Sequence, residues 1–295
     1  MTMTMTMTPG PRRRHRWRTR AAAAVLAAVL AGCVNLAAVG DYADAAGAVL
    51  SDKAAARRWR DSAKHLRAVS LPGDVCRITE IPNRPPQAEF DAAYDDIANV
   101  HAMLGAYFHA IGELASDRLP LPAATLSSSL AAIQRSGVSI EPGDEAAINT
   151  LGALLSHSLD AWRQQRLRAL MARAEPDVDH AIALLQRLAA LYADELQGER
   201  IQALAFVKCS IASGDLSDPY SGRRELKRID AAYAAEAATL AKYAAALARV
   251  RTDHATIRHA LVADRAAFSA ALQRLLASRD ELDAARLALS QLQGE

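Results

Sequence analysis

Eight histidines, three cysteines and the arginine cluster at positions 57–60 are the residues of this 295-residue chain whose types and spacing could do chemistry. Zinc and di-iron sites built on helices use HExxH or paired ExxH, because ligands one turn apart converge on one ion. Neither spacing occurs. Asp177-x-x-His180 comes nearest, but it falls at an expected helix start, where an aspartate suits the first turn. His101 and His254 lie on apolar stripes, the usual place of a core histidine bonded to a neighbour. One reading pairs them as a single buried contact between the second helix and the last. There is no G-x-S-x-G and no phosphate-cradling glycine loop, and Ser127-Ser128-Ser129 has no partnered base. A catalytic cleft would have to draw His101, His109, His157 or Glu113 together from separate positions. No catalytic residue, metal ligand, cofactor site or small-molecule site is assigned.

Two constellations remain. Arg57-Arg58-Trp59-Arg60, with Lys53, Lys64 and Arg67, reads as a basic, tryptophan-bearing helix face. It is either solvated surface or a contact for anionic lipid or lipopolysaccharide phosphates. Cys76 and Cys209 read as a disulfide in an oxidising compartment, the alternative being two separate buried thiols. The loop-like surroundings of Cys76 favour the bridge.

The elements that must position these residues are helical. Leu36 to Val69 carries apolar residues three and four apart beside a charged face. A second helix follows Pro85-Pro86 and runs to about Ser116. Phe90, Tyr94, Ile97, His101, Leu104, Phe108 and Ile111 on it form the expected heart of the core. A short helix is expected over Ala123–Ser136, closed by Gly137, and a fourth over Glu145–Ala174. Pro176 is read as a boundary, since proline is tolerated in the first turn of a helix and not in its interior. The fifth helix then runs to about Ser213. The one β-like piece, within Leu71–Pro86, is crowded by Pro and Gly.

From Leu226 a three-four repeat runs through Ile229, Tyr233, Glu236, Leu240, Tyr243, Leu247, Val250, His254, Ile257 and Leu261. It continues through Leu272, Leu275, Leu282 and Leu289 with no Gly or Pro. One helix on the order of 100 Å long is the favoured reading; the alternative is a hairpin turning near Thr252-Asp253. The expected fold is an all-α, elongated bundle over residues 33–222, with a coiled-coil-like C-terminal helix over 223–295 packed on it.

The N-terminus is an address. A cluster of arginines at positions 12, 13, 14, 16, 18 and 20 precedes an unbroken apolar run, Ala21 to Ala31. A basic segment, a short apolar run and small residues at its end make a secretory signal peptide, residues 1–32, too short for a membrane span. The run closes in Leu30-Ala31-Gly32-Cys33, which resembles the lipobox of bacterial lipoprotein precursors. The resemblance covers about the first 35 residues. It implies cleavage between Gly32 and Cys33, a diacylglyceryl group on the Cys33 sulfur and acylation of the new amino group. Val34, where enteric bacteria use aspartate for inner-membrane retention, implies an outer-membrane anchor facing the periplasm. Without residues 1–32 the chain has 29 basic and 33 acidic residues, a net charge of −4. The pI near 8.5 therefore belongs to the precursor, and no nucleic-acid footprint is indicated. The function class expected is a non-enzymatic interaction or scaffold lipoprotein, held on a membrane through Cys33 and binding a periplasmic protein. An immunity-type protein directed at one periplasmic toxin is a variant of that class. The alternative is an envelope enzyme or enzyme activator whose site is assembled from distant residues.

Overall fold

The computed structural model describes residues 38–69, 76, 86–115, 163–214, 218–262 and 265–292. Helix α1 covers residues 38–51, α2 Ala54–Arg60, α3 Ser62–Val69, α4 Gln87–Ala115, α5 Arg163–Ser213, α6 Pro219–Val262 and α7 Arg265–Gln291. No strand occurs among the described residues, and the helices pack on one another as the expected all-α bundle. The expected helix over Ala123–Ser136, most of the expected fourth helix and the β-like piece lie outside the described residues.

The core forms where the large apolar residues concentrate. Ile97, Met103, Leu104, Tyr107, Phe108 and Ile111 of α4 are among the largest fully buried side chains. Helix α1 lies against them at very short range because glycines line the crossing. A Cβ on Gly47 would stand 3.3 Å from the Gly105 carbonyl, and one on Gly105 would stand 2.8 Å from the Cβ of Ser51. Small residues here let two backbones approach so that Tyr42 can reach past α4 and donate to the Val250 carbonyl of α6 at 3.3 Å.

The expected single helix from Leu36 to Val69 is instead three, α1 to α3, and the residues at the breaks explain why. The Asp52 carboxylate accepts from the Ala54 amide at 2.8 Å, in competition with the helical ladder. That amide is therefore withdrawn from the Leu50 carbonyl, its partner in a continuous helix. His101 takes the freed carbonyl, Nδ1 to oxygen 2.6 Å. Since the carbonyl only accepts, Nδ1 carries the proton.

The boundary expected at Pro176 is also corrected: α5 is continuous, with Pro176 inside it. Proline removes one ladder bond and clashes with the preceding turn, costing about 3 kcal/mol in an isolated helix. The stripe Ile182, Leu185, Leu188, Tyr192 and Leu196, continued backward by Val178, Ala174, Met171 and Leu170, is buried on both sides of the proline. Burying one such large side chain contributes about 1.5–3 kcal/mol, so several of them outweigh the proline penalty.

The favoured single C-terminal helix is a hairpin, and its turn is not at Thr252-Asp253. Helix α6 continues through those residues to Val262, and α7 runs back along it. Arg249 donates to Ser278 at 2.7 Å, while Glu236 and Thr239 line one cavity with Gln291 and Leu292, which defines the antiparallel register. No Gly or Pro compels the turn. It is selected because reversal buries Leu272, Leu275, Leu282 and Leu289, a stripe that one straight helix would leave in water. Helix α5 is likewise antiparallel to α6, through Arg251–Asp179 and Arg200–Asp230. At 1.5 Å per residue, α5 is about 77 Å long and α6 about 66 Å, so the described helices form a rod.

Candidate functional site

Three polar constellations are enclosed by these helices. The first lies where Pro176 interrupts the ladder of α5. A cavity of about 360 Å³ opens there between α5 and α6, with Pro176, Val178, Ile182 and Ala255 as apolar wall and Asp179, His180, Arg251 and His254 as polar groups. Arg251 grips Asp179 with two nitrogens, the Nη2–Oδ2 distance being 2.7 Å. The hydrogen bond from Arg251 holds the Asp179 carboxyl below its usual range, against some desolvation. Arg258 pairs with Glu175 at 2.6 Å. His180 Nδ1 donates to the Pro176 carbonyl at 2.7 Å. His254 is buried, and its Nε2 lies 2.8 Å from the Tyr107 hydroxyl of α4. Burial, and then the charge of Arg258, push the His254 imidazole down to about 4, Asp179 pulling weakly the other way. Burial pushes the Tyr107 phenol far above its usual value. A neutral phenol beside a neutral imidazole donates its proton, so Nε2 accepts and the ring hydrogen sits on Nδ1. The pair is held neutral, and among the described residues no hydroxyl or thiol nucleophile lines the cavity.

The second constellation is a buried ionic cluster. Arg58 of α2 donates to both oxygens of Glu199 on α5, at 3.2 and 2.8 Å, and through Nε to Glu236 on α6 at 2.6 Å. Arg58 is 7 % exposed and Glu199 3 %. Burial pushes the Glu199 carboxyl up, the Arg58 hydrogen bond and charge pull it back, and Glu195 and Glu236 raise it again, to about 7. A cavity of about 140 Å³, lined by Arg58, His65, Glu236, Thr239 and Gln291, borders the cluster.

The third is the disulfide. The structure joins Cys76 to Cys209, with Cα atoms 5.9 Å apart, tying the segment after α3 to the end of α5.

The other sequence candidates are dispersed. Within Arg57-Arg58-Trp59-Arg60 only Arg57 is exposed. Trp59 is buried between Phe90 and Tyr192, at ring-centroid distances of 4.8 and 5.6 Å. Arg60 pairs with Asp61 at 2.7 Å and lies 4.5 Å over the Tyr94 ring. The expected basic surface face is corrected accordingly: consecutive residues of an α-helix point about 100° apart, so four in a row cannot share one face, and Arg58 and Arg60 are drawn inward to carboxylates while Arg57 stays exposed. His101 and His254 do not meet. Each joins α4 to another helix, His101 through the Leu50 carbonyl and His254 through Tyr107. His109 is exposed, 3.9 Å from Glu113 one turn on, and does not converge with buried His101. His157 and Cys33 lie outside the described residues. Among those residues, no group of three or more His, Cys, Asp or Glu side chains is placed to hold a metal ion.

Glu199 and Tyr107 carried no motif. The one sequence signal was Glu236, a charge at a seam position between Tyr233 and Leu240, which called for a buried partner. Arg58 supplies it from 178 residues away.

No family of known proteins matches the chain, and neither a curated protein nor a solved structure matches it.

Proposed function

We propose that this chain is a lipid-anchored protein of the bacterial envelope that acts by holding a periplasmic partner protein on its helical rod, without catalysing a reaction. The observation that carries the reading is the position of α1. It begins shortly after Cys33 and runs antiparallel to α6, with Tyr42 beside Val250 and Leu50 level with His101 and Tyr243. An anchor at Cys33 would thus hold the end of the rod where α6 turns into α7. The opposite end, with the Cys76–Cys209 bridge, would project on the order of 60 Å, the length of α6 at 1.5 Å per residue. A bridged cysteine pair suits the oxidising periplasm. No helix among the described residues is long and apolar enough to cross a membrane, so lipid on Cys33 supplies the attachment in this reading. Arg58, Trp59, His101 and His254 hold helices together, which leaves exposed side chains such as Ile201, Tyr220 and Leu287 to meet a partner.

The test is photo-crosslinking in living cells from Ile201, Tyr220 and Leu287, one position at a time, followed by identification of what is captured. One reproducible partner protein, lost when Cys33→Ser releases the anchor, is the expected result. Capture of lipid alone, or of nothing specific, overturns the reading. A second reading, an envelope enzyme or enzyme activator, is favoured by the cavity at Pro176 with its buried Tyr107–His254 pair. Turnover of an envelope substrate that His254→Phe abolishes while the chain stays folded would establish it in place of the first.

A further inference from the structure

The cavity of about 360 Å³ between α5 and α6 has an apolar inner wall and one buried donor. Val178 and Ile182 are fully buried on that wall, and His254 is 2 % exposed. The Tyr107 hydroxyl takes Nε2 of His254 at 2.8 Å, so the neutral ring carries its hydrogen on Nδ1. The rings of Tyr107 and Phe108 close over His254 from α4, at centroid distances of 5.7 and 5.8 Å. Nδ1 has no hydrogen-bond partner among the described residues, and it is the polar atom that His254 turns to the cavity. A buried donor without an acceptor is costly, so an acceptor that enters here gains a bond without breaking one within the protein. The other polar groups are already matched. Arg251 and Asp179 grip each other at the mouth, 42 and 44 % exposed. Glu175 pairs with Arg258 at 2.6 Å, and His180 Nδ1 donates to the Pro176 carbonyl at 2.7 Å. With both arginines matched, a carboxylate pressed against Val178 and Ile182 would lose water without gaining a counter-charge, which is costly.

We propose that this cavity is a binding site for a small, uncharged, largely apolar molecule with one hydrogen-bond acceptor, such as a ketone or amide carbonyl, which accepts from His254 Nδ1. An apolar cavity of about 150 Å³ holds a benzene molecule, so this one takes a ring with a short substituent. Pro176, Val178, Ile182 and Ala255 supply the apolar contact, which favours burial of the ligand but sets no orientation. Orientation comes from His254. Tyr107 is a positioning residue: by donating to Nε2 it fixes the tautomer in which the ring donates to the cavity. The site therefore ranks an uncharged acceptor above a hydrocarbon of the same shape, and above a carboxylate. It requires only α4, α5 and α6, and is independent of the anchor and of any partner protein.

The experiment is a nuclear magnetic resonance titration of the full, disulfide-bonded chain, labelled in its histidine rings and in the methyls of Val178 and Ile182. Three probes of similar shape are compared: acetophenone, α-methylstyrene, which has a methylene in place of the carbonyl oxygen, and benzoate. Acetophenone should shift His254 Nδ1 and the Val178 and Ile182 methyls with a saturable curve. α-Methylstyrene should bind on the order of tenfold more weakly, and benzoate should bind more weakly than acetophenone. No saturable shift at these residues with acetophenone overturns the site. Equal affinity for acetophenone and α-methylstyrene overturns the role of His254, and tightest binding of benzoate overturns the uncharged class. Ala255→Leu, which extends a side chain into the cavity from α6, should abolish acetophenone binding with the helical circular dichroism unchanged. Undiminished binding to that variant overturns the location. Should the variant not fold, the ranking of the three probes on the wild type decides alone.

Discussion

His101 and His254 show what single side chains do in this bundle. Both are held near pKa 4, His101 by burial that outweighs its bond to the Leu50 carbonyl. Their folded values lie below the unfolded value of about 6.5, so each contributes stability that is present above 6.5 and is lost as pH falls toward 4. Each contributes up to about 3 kcal/mol, since every tenfold loss of proton affinity on folding is worth about 1.4 kcal/mol. Glu199 acts with the opposite sign, so two imidazoles against one carboxyl leave a net loss on acidification. Urea unfolding of the full chain should therefore show stability falling between pH 6.5 and 4. A flat or rising profile would show that the imidazoles are not held neutral. Tyr107→Phe removes the donor to His254 Nε2 and leaves that nitrogen buried without it. The expected cost is about 1–3 kcal/mol, read as a drop in urea midpoint at unchanged slope. Neither partner was legible in the sequence as a pair. The four-and-three spacing put both histidines on buried faces, but spacing along one helix says nothing about which residue of another helix stands opposite.

At the scale of elements, the crossing of α1 and α4 turns on small residues, and two glycines there should answer differently to the same change. Alanine at either position gains about 1 kcal/mol of helix propensity. At Gly105 the added methyl would stand 2.8 Å from the Ser51 Cβ, an atom fixed to the facing backbone. The helices must separate, and overpacking of this kind costs about 1–3 kcal/mol. At Gly112 the close atom is Asp44 Oδ1, 2.7 Å away at the end of a side chain that can turn aside. Gly112→Ala should thus match or exceed wild-type stability, and Gly105→Ala should fall below it by about 1 kcal/mol. Thermal melts of the two variants check this, and the reverse order would refute the packing argument. Helix identity itself was legible, because α4, the later part of α5 and the seam of α6 each bury a periodic stripe. Helix ends were not. Asp52 breaks α1 from α2 by taking one amide, Pro176 fails to break α5 because packing on both sides outweighs it, and the chain reverses after Val262 without a Gly or Pro to compel it. All three outcomes were decided by contacts between helices.

For the whole molecule, one covalent tie lies at an end of the rod and a second is proposed for the other. The Cys76–Cys209 bridge closes a separation of 133 residues, which the chain-entropy relation values at about 5 kcal/mol through the unfolded state. Cys209→Ala should lower stability by several kcal/mol while leaving the helical circular dichroism of the folded protein unchanged. Equal stability of the oxidised wild type and the variant would contradict that account. In the proposed reading the other end is held through lipid on Cys33. If its thiol receives lipid before the signal peptide is cut, Cys33→Ser cannot be lipidated and should accumulate with residues 1–32 still attached. The helical body begins beyond that point, so the exported variant should still form the Cys76–Cys209 bridge. The same chain retained in a reducing cytosol by deletion of residues 1–32 should not. Mobility of the two products on a gel, with thiol alkylation before and after reduction, reads processing and oxidation together. A Cys33→Ser chain of mature size in the membrane fraction would sink the anchor. A bridge that forms only in the anchored wild type would show instead that folding of the rod depends on its attachment.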